Sequence, residues 1–306
     1  MASRAAGSYP AVPEPLAVPG VDTHTHLDIC TGARGPLKAG EPAPEVDPSE
    51  GEEFPSLDWF RETAFAAGIT RIVQIGCEMG AARWTAATVE AEAAAGRDWM
   101  LGGAAIHPNE APRLAAAGLL EDSLTEIEQL CAGERMRVVG ETGLDYFRTD
   151  GDGLAAQEES FRAHIEIAKR LGIALQIHDR EAHTDVLRIL REVGAPERTV
   201  FHCFSGDVEM ARECAERGYY MSFAGNITFK NADGLRHAAA IVPPELLLSE
   251  TDAPFLTPVP HRGKPGGPYL TALTIRKLAE VRDTTEEEIA RLVTENAGRV
   301  FGSWDL

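Results

Sequence analysis

Positive charge is scarce in this chain. Lys and Arg number 29 against 48 Asp and Glu, a net charge of −19 with neutral histidines. Such a surface repels polyanions and argues against long, salt-sensitive tracking along duplex nucleic acid. It does not exclude a local pocket in which bound cations reverse the field. Cysteine is sparse too. Cys30, Cys77, Cys131, Cys203 and Cys214 are odd in number and scattered, with no CxxC pair. That excludes a disulfide framework and a zinc knuckle, and each reads as a small buried apolar side chain. No apolar run approaches the ~20 residues of a membrane span. The first residues, MASRAAGSYPAVPEPLAVPG, lack the apolar stretch of a signal peptide. A soluble, cytoplasmic protein is expected, with no membrane attachment and no stable protein partner. No GxGxxG follows the first strand, so dinucleotide binding of that type has no support.

What is present is a repeating pattern. Residues 1–17, rich in Ala and Pro, read as a disordered or loosely attached arm. Residues 18–306 read as a single domain, interrupted at 31–56 by an acidic Pro/Gly-rich loop with no helical or strand period. A loop of that length inside a compact domain is either functional or a solvated insertion. From Leu57 onward, helical stretches closed by glycine (Gly68, Gly96, Gly172, Gly194, Gly218) alternate with short β-branched runs. A single helix is expected over 111–132, and Thr285 with Glu288 offers a capping box for the last helix. Eight strands alternating with helices imply βαβ units and a parallel sheet. The length suits an α/β (β/α)8 TIM barrel, with a doubly wound open sheet as the competitor.

The chemistry gathers where strands end. In Asp22-Thr23-His24-Thr25-His26 the two histidines are two residues apart, so an extended strand projects both to one side. Alone, this spacing also fits a polar strand end. Later strands end in His107, Glu141, His178, His202 and Asp252. In a barrel all of these ends surround one pocket. Five of the nine histidines occupy such positions; His164, His183, His237 and His261 do not. His24, His26, Glu141, His178, His202 and Asp252 suffice for two metal ions. Glu141, with two oxygens, is the natural bridge. His24, His26 and Asp252, from the first and last strands, would hold one ion, and His178 with His202 the other. Two such ions activate water and stabilise a phosphoryl displacement. Asp252 is placed to accept the water's proton if within hydrogen-bond reach. The imidazole-rich set suits Zn²⁺ or Mn²⁺, and phosphoryl chemistry adds Mg²⁺.

The segments His24-Thr-His26-Leu-Asp28, Ile106-His107-Pro108, Gly140-Glu141-Thr-Gly-Leu-Asp145-Tyr146, Ile177-His178-Asp-Arg180, His202-Cys-Phe-Ser-Gly206, Glu250-Thr-Asp252-Ala-Pro254 and Asn296-Ala-Gly-Arg-Val-Phe301 follow one another along the chain. In that order they resemble the TatD family of metal-dependent deoxyribonucleases, from about Val21 to Gly302. The resemblance implies an amidohydrolase-type TIM barrel, two divalent ions, and ligand roles for the same six residues. It also implies phosphodiester hydrolysis, commonly as a 3′→5′ DNA exonuclease. Two departures stand out. The family usually has His-Pro-His where this chain has His107-Pro108-Asn109, and the loop 31–56 looks longer.

Around the ligands, His107 and Arg180 are the candidate substrate contacts, Arg180 because guanidinium binds phosphate bidentately. A salt bridge to Glu181 is its competing reading. Lys230, Arg262 and Lys264 are candidates for a cationic rim, and Phe229 or Tyr146 for stacking on a base. The expected function is a metal-dependent deoxyribonuclease acting on DNA strand ends, with single strands favoured. An amide, ester or lactone hydrolase with the same two metals is the alternative, and a metal-stabilised binding protein the second.

Overall fold

The structure is a computed structural model that describes residues 8–33 and 54–306. Eight parallel strands form one sheet in chain order: β1 (Gly20–Thr25), β2 (Ile69–Gly76), β3 (Met100–Ala104), β4 (Met136–Asp145), β5 (Ala174–Arg180), β6 (Thr199–Phe201), β7 (Tyr220–Phe223) and β8 (Leu247–Ser249). The sheet closes on itself. Thr25 bridges Ala253 in parallel, Asp252 N donates to His24 O at 3.0 Å, and His26 N donates to Ala253 O at 2.8 Å. Thr23 Oγ1 donates to Ser249 O across 226 positions of chain. This is the (β/α)8 TIM barrel, and the open-sheet alternative falls away.

The outer layer is helical, and α1 (Leu27–Cys30) is a single turn directly after β1. That turn is fixed from β2, because Gln74 Oε1 accepts from Leu27 N. The helix ends follow local chemistry. Ser56 caps α2 (Leu57–Ala66) by accepting from Trp59 N, Asp207 caps α8 (Val208–Glu216) through Met210 N, and Thr285 caps α11 (Glu286–Phe301) through Glu288 N. The single helix expected over 111–132 is two, α4 (Ala111–Ala116) and α5 (Leu120–Cys131). Gly118, at φ +68°, turns the chain between them.

The two ends of the barrel are unlike. At the strand starts, Trp99 and Trp304 are buried, and Trp304 Nε1 donates to Ile72 O. The strand ends carry the histidines and carboxylates, which is where barrels of this type place their chemistry. Close approach of β4 to β5 aligns Gly143 with His178. At Gly143, φ is +141° and a Cβ would meet His178 O at 2.1 Å, so only glycine fits there.

Residues 8–17 differ from the loosely attached arm expected. Tyr9 is buried edge-on against Trp59 and Phe60, Tyr269 Oη donates to Pro10 O, and Leu16 N donates to Ala67 O. Two apolar anchors near the ends of an Ala/Pro-rich stretch are enough to lay it on the barrel. Residues 1–7, and the 34–53 part of the acidic loop, lie outside the described residues. Among the described residues no helix is long and apolar enough to cross a membrane.

Candidate metal centre

Strands β1, β4, β5 and β6 and the β8 loop bring His24, His26, Glu141, His178, His202 and Asp252 together. His24 Nε2 and His26 Nε2 are 3.2 Å apart. Glu141 Oε1 lies 3.5 Å from His26 Nε2 and 3.9 Å from His24 Nε2, and Asp252 Oδ1 lies 3.3 and 3.9 Å from the same two atoms. The other carboxylate oxygen, Glu141 Oε2, lies 3.0 Å from His178 Nδ1 and 2.5 Å from His202 Nε2. One carboxylate thus faces two histidine pairs, one with each oxygen.

The far nitrogen of each imidazole decides what the near one offers. His24 Nδ1 faces Gln176 Oε1 at 2.9 Å, whose amide nitrogen is committed to Thr23 O. His26 Nδ1 faces Ile75 O at 2.9 Å. His202 Nδ1 faces Glu250 Oε1 at 3.2 Å, and His178 Nε2 faces Asp145 Oδ2 at 3.3 Å. All four partners are acceptors, so each far nitrogen carries a proton, and the near nitrogen is the one that would offer a lone pair to a cation. Burial lowers the pKa values of His26, His178 and His202, but their neighbours (Cys77 and Asp252; Asp145 and Glu141; Glu141 and Glu250) outweigh it and hold all three above the ordinary value. His24 is the exception, because burial first, and then His202, hold its pKa well below the ordinary value. A buried set of four imidazoles and two carboxylates fits divalent cations, which would displace the protons held there.

Glu141 stays ionised. Burial opposes this, but His202 and His107 outweigh it and hold the carboxyl well below the usual range. His107 stands at the edge, with Nε2 4.0 Å from Glu141 Oε1. Its Nδ1 accepts from Asn109 N at 3.1 Å, so Nε2 carries the hydrogen. Burial pushes its pKa down to about 4, leaving it neutral near pH 7. Arg180 does not pair with Glu181. Among the described residues it makes no ion pair, and its guanidinium lies 3.8 Å over the Phe147 ring.

Several contributors escape a reading of strand ends. Asp145, Gln176 and Glu250 orient the histidines but are not facing lone pairs into the centre. Asn109 belongs with them: its Nδ2 donates to Asp145 Oδ2 at 3.0 Å, so the position reaches His178 through Asp145. Cys77 was expected to be an inert buried thiol, yet its Sγ donates to Glu141 Oε1 at 3.2 Å. Tyr146 is partly buried with its hydroxyl on Asp185, and Phe229 lies under Arg262 at 4.4 Å, so neither presents a free ring.

Comparison with known proteins places this geometry. The family described as TatD related DNase matches residues 21–302. The chain is 40% identical to the uncharacterized metal-dependent hydrolase TatD of Mycobacterium tuberculosis, over 92% of this chain and 97% of that protein. The chain belongs to the TatD family. It is a TatD-type metal-dependent hydrolase. A further TatD relative, the uncharacterized metal-dependent hydrolase YabD of Bacillus subtilis, is 42% identical over 61% of this chain and 73% of its own length. The crystal structure of a TatD homologue from Escherichia coli K12 superposes with a TM-score of 0.72 at 26% identity, covering 92% of this chain and 97% of that one. An N-acetyl-D-glucosamine-6-phosphate deacetylase from Mycobacterium smegmatis shares the fold alone, at 17% identity and a TM-score of 0.56, covering 94% of this chain and 78% of that one.

Proposed function

We propose that this chain is a dinuclear phosphodiesterase that shortens DNA strand ends in the 3′→5′ direction, with single strands favoured. The observation that carries this is the placement of unneutralised cations. Among the described residues Arg148, Arg180, Lys230, Arg262 and Lys264 make neither an ion pair nor a side-chain hydrogen bond. All five stand at the ends of β4, β5, β7 and β8 or on the loops that follow, around the metal centre. Elsewhere among the described residues only Arg137 and Arg291 are comparable. A protein of −19 that gathers five of the seven free cations among its described residues at one face suits an anionic substrate there. An amide, ester or lactone hydrolase has the same use for the ligands but none for that rim.

His24, His26, Asp252 and Glu141 would hold one ion, and Glu141, His178 and His202 the other. Divalent ions held there, Mg²⁺, Mn²⁺ or Zn²⁺, lower the pKa of a water and offset charge on an attacked phosphate. Asp252, whose side chain is the more open of the two carboxylates at 15% exposure, accepts the attacking water's proton. Neutral His107 donates from Nε2 to a phosphoryl oxygen. Arg180, with no competing carboxylate, orients the phosphate.

The test is cleavage by chelator-stripped protein reloaded separately with Mg²⁺, Mn²⁺ or Zn²⁺. The substrates are 5′- and 3′-labelled single-stranded DNA, with Glu141→Ala as the blank. Shortening from the 3′ end that needs metal and is lost in the blank is expected. A protein that binds metal yet cuts no labelled strand with any ion overturns the phosphodiester reading.

A further inference from the structure

The described residues include eight large apolar side chains in exposed positions, and three of them, Phe147, Phe255 and Val259, share the face that holds the metal centre. Phe255 is the nearest to the chemistry. It follows Asp252 by three residues, its ring meets the His26 imidazole edge-on with centroids 6.2 Å apart, and it remains 48% exposed. Its exposure is not slack in the loop. Phe255 N donates to Asp252 O at 2.8 Å and Gly266 N donates to Pro254 O at 3.0 Å. Gly225 of the preceding loop approaches Leu256 O so closely that a Cβ there would lie 2.2 Å away. The backbone under Phe255 is therefore fixed at the pocket edge, and about half of the residue is open to solvent.

Across the barrel stands a second exposed ring. Phe147 is 56% exposed, and one of its faces carries the Arg180 guanidinium. Its turn is fixed as well, because Asp145 Oδ1 accepts from Phe147 N and Arg148 N. Strands β4 and β8 are four places apart in an eight-strand ring, so the two residues follow strand ends on opposite sides of the barrel. Between them lie the centre and the cations.

We infer that Phe255 is a stacking platform for an unpaired nucleobase at the strand end, with the Phe147–Arg180 stack forming the opposite wall. The occupant follows from chemistry. A fixed aromatic residue across the pocket from a phosphate-orienting cation suits a planar ring joined to a phosphodiester, and every base has such a ring, so base identity is not read. A paired base has its faces covered by its neighbours and reaches Phe255 only after fraying, which makes single strands the better substrate. This inference rests on the phosphodiester reading above.

The experiment compares kcat/KM on two labelled single strands that differ only at the terminal nucleotide, one bearing a base and one abasic. It is run with the metal-loaded full chain as wild type, Phe255→Ala, Phe255→Leu and Phe255→Trp. In the wild type the base-bearing end is preferred. Phe255→Ala lowers that preference about 5- to 150-fold, the range for loss of one stacked base. Phe255→Leu, which keeps apolar volume without a π-face, lowers it as well, and Phe255→Trp keeps it. A preference restored by Leu, or unchanged in Ala, makes the ring a packing element and overturns the inference. Equal wild-type rates on both ends also overturn it while leaving the phosphodiesterase standing. A wild type that cuts neither strand sinks the phosphodiester reading, and the subsite with it.

Discussion

A histidine that serves a cation needs an acceptor for its other nitrogen, and here each acceptor is itself held. Asp145 takes the His178 Nε2 hydrogen while Asn109 Nδ2 donates to the same oxygen. Burial raises the Asp145 pKa, but hydrogen bonds from His178 and Asn109 outweigh it, so the carboxylate stays ionised and its hold on the imidazole is strong. Asp145→Ala should weaken metal binding about 10- to 100-fold, the usual effect of removing a group that orients a ligand. Asn109→Ala should move it in the same direction by less. Titration calorimetry on the stripped proteins reads this directly, and unchanged affinity in Asp145→Ala would remove Asp145 from the centre. At this scale the facing groups were legible because they end strands. Their supports were not singled out, although each lies close by. Gln176 is two residues before His178 and so on the same face of β5. Glu250 is two before Asp252, and Asp145 four after Glu141. The signal was the need for an acceptor, which strand ends alone do not express.

Elements were legible where a periodic run was closed by a glycine and blurred where backbone geometry decides the end. β4 was expected to stop at Glu141 and continues to Asp145. The reason is Gly143, whose positive φ lets the strand stay against β5 past His178. The break at Gly118 divides what composition reads as one helix. Another element boundary carries a stability test. On α3 (Met79–Ala94), Glu92 is buried and accepts from Arg97 and from Trp99 Nε1 at 2.7 Å, tying the helix end to the entry of β3. Burial raises the Glu92 pKa, but these hydrogen bonds outweigh it and the value falls below the ordinary 4.5. A depressed carboxyl contributes stability above its unfolded pKa and loses it as pH falls through the folded one. Glu92→Gln should therefore cost about 1 kcal/mol at pH 7, discounted because Arg97 is open to solvent. The gap to wild type should shrink below pH 4.5. Urea unfolding at pH 7 and pH 4 checks it, and a gap that widens on acidification would contradict this account.

For the molecule as a whole, net charge and local charge point in opposite directions. A −19 protein is expected not to track along duplex nucleic acid, yet five free cations among the described residues stand at or after the ends of β4, β5, β7 and β8. Each phosphate contact on a single strand contributes about 0.7 to the slope of log affinity against log salt. Arg180→Ala and Arg262→Ala should each flatten the salt dependence of kcat/KM on single-stranded DNA by about that amount. A slope unchanged in both would detach the rim from the substrate. Composition hid this pattern because a sum over the chain carries no positions; the strand-end reading recovered Arg180, Lys230, Arg262 and Lys264 as candidates, and only the fold shows which cations lack partners. The closure of the barrel has one more consequence. The backbone bonds that join the last strand to the first run through His24, His26, Asp252 and Ala253, so the seam of the barrel and the mouth of the pocket are one place. A ribosome makes His24 early and Asp252 late. Until the late segment emerges, the early histidines have neither their carboxylate neighbour nor a closed wall. A chain cut short before Asp252 should thus lack a complete centre, however much of the barrel precedes the cut.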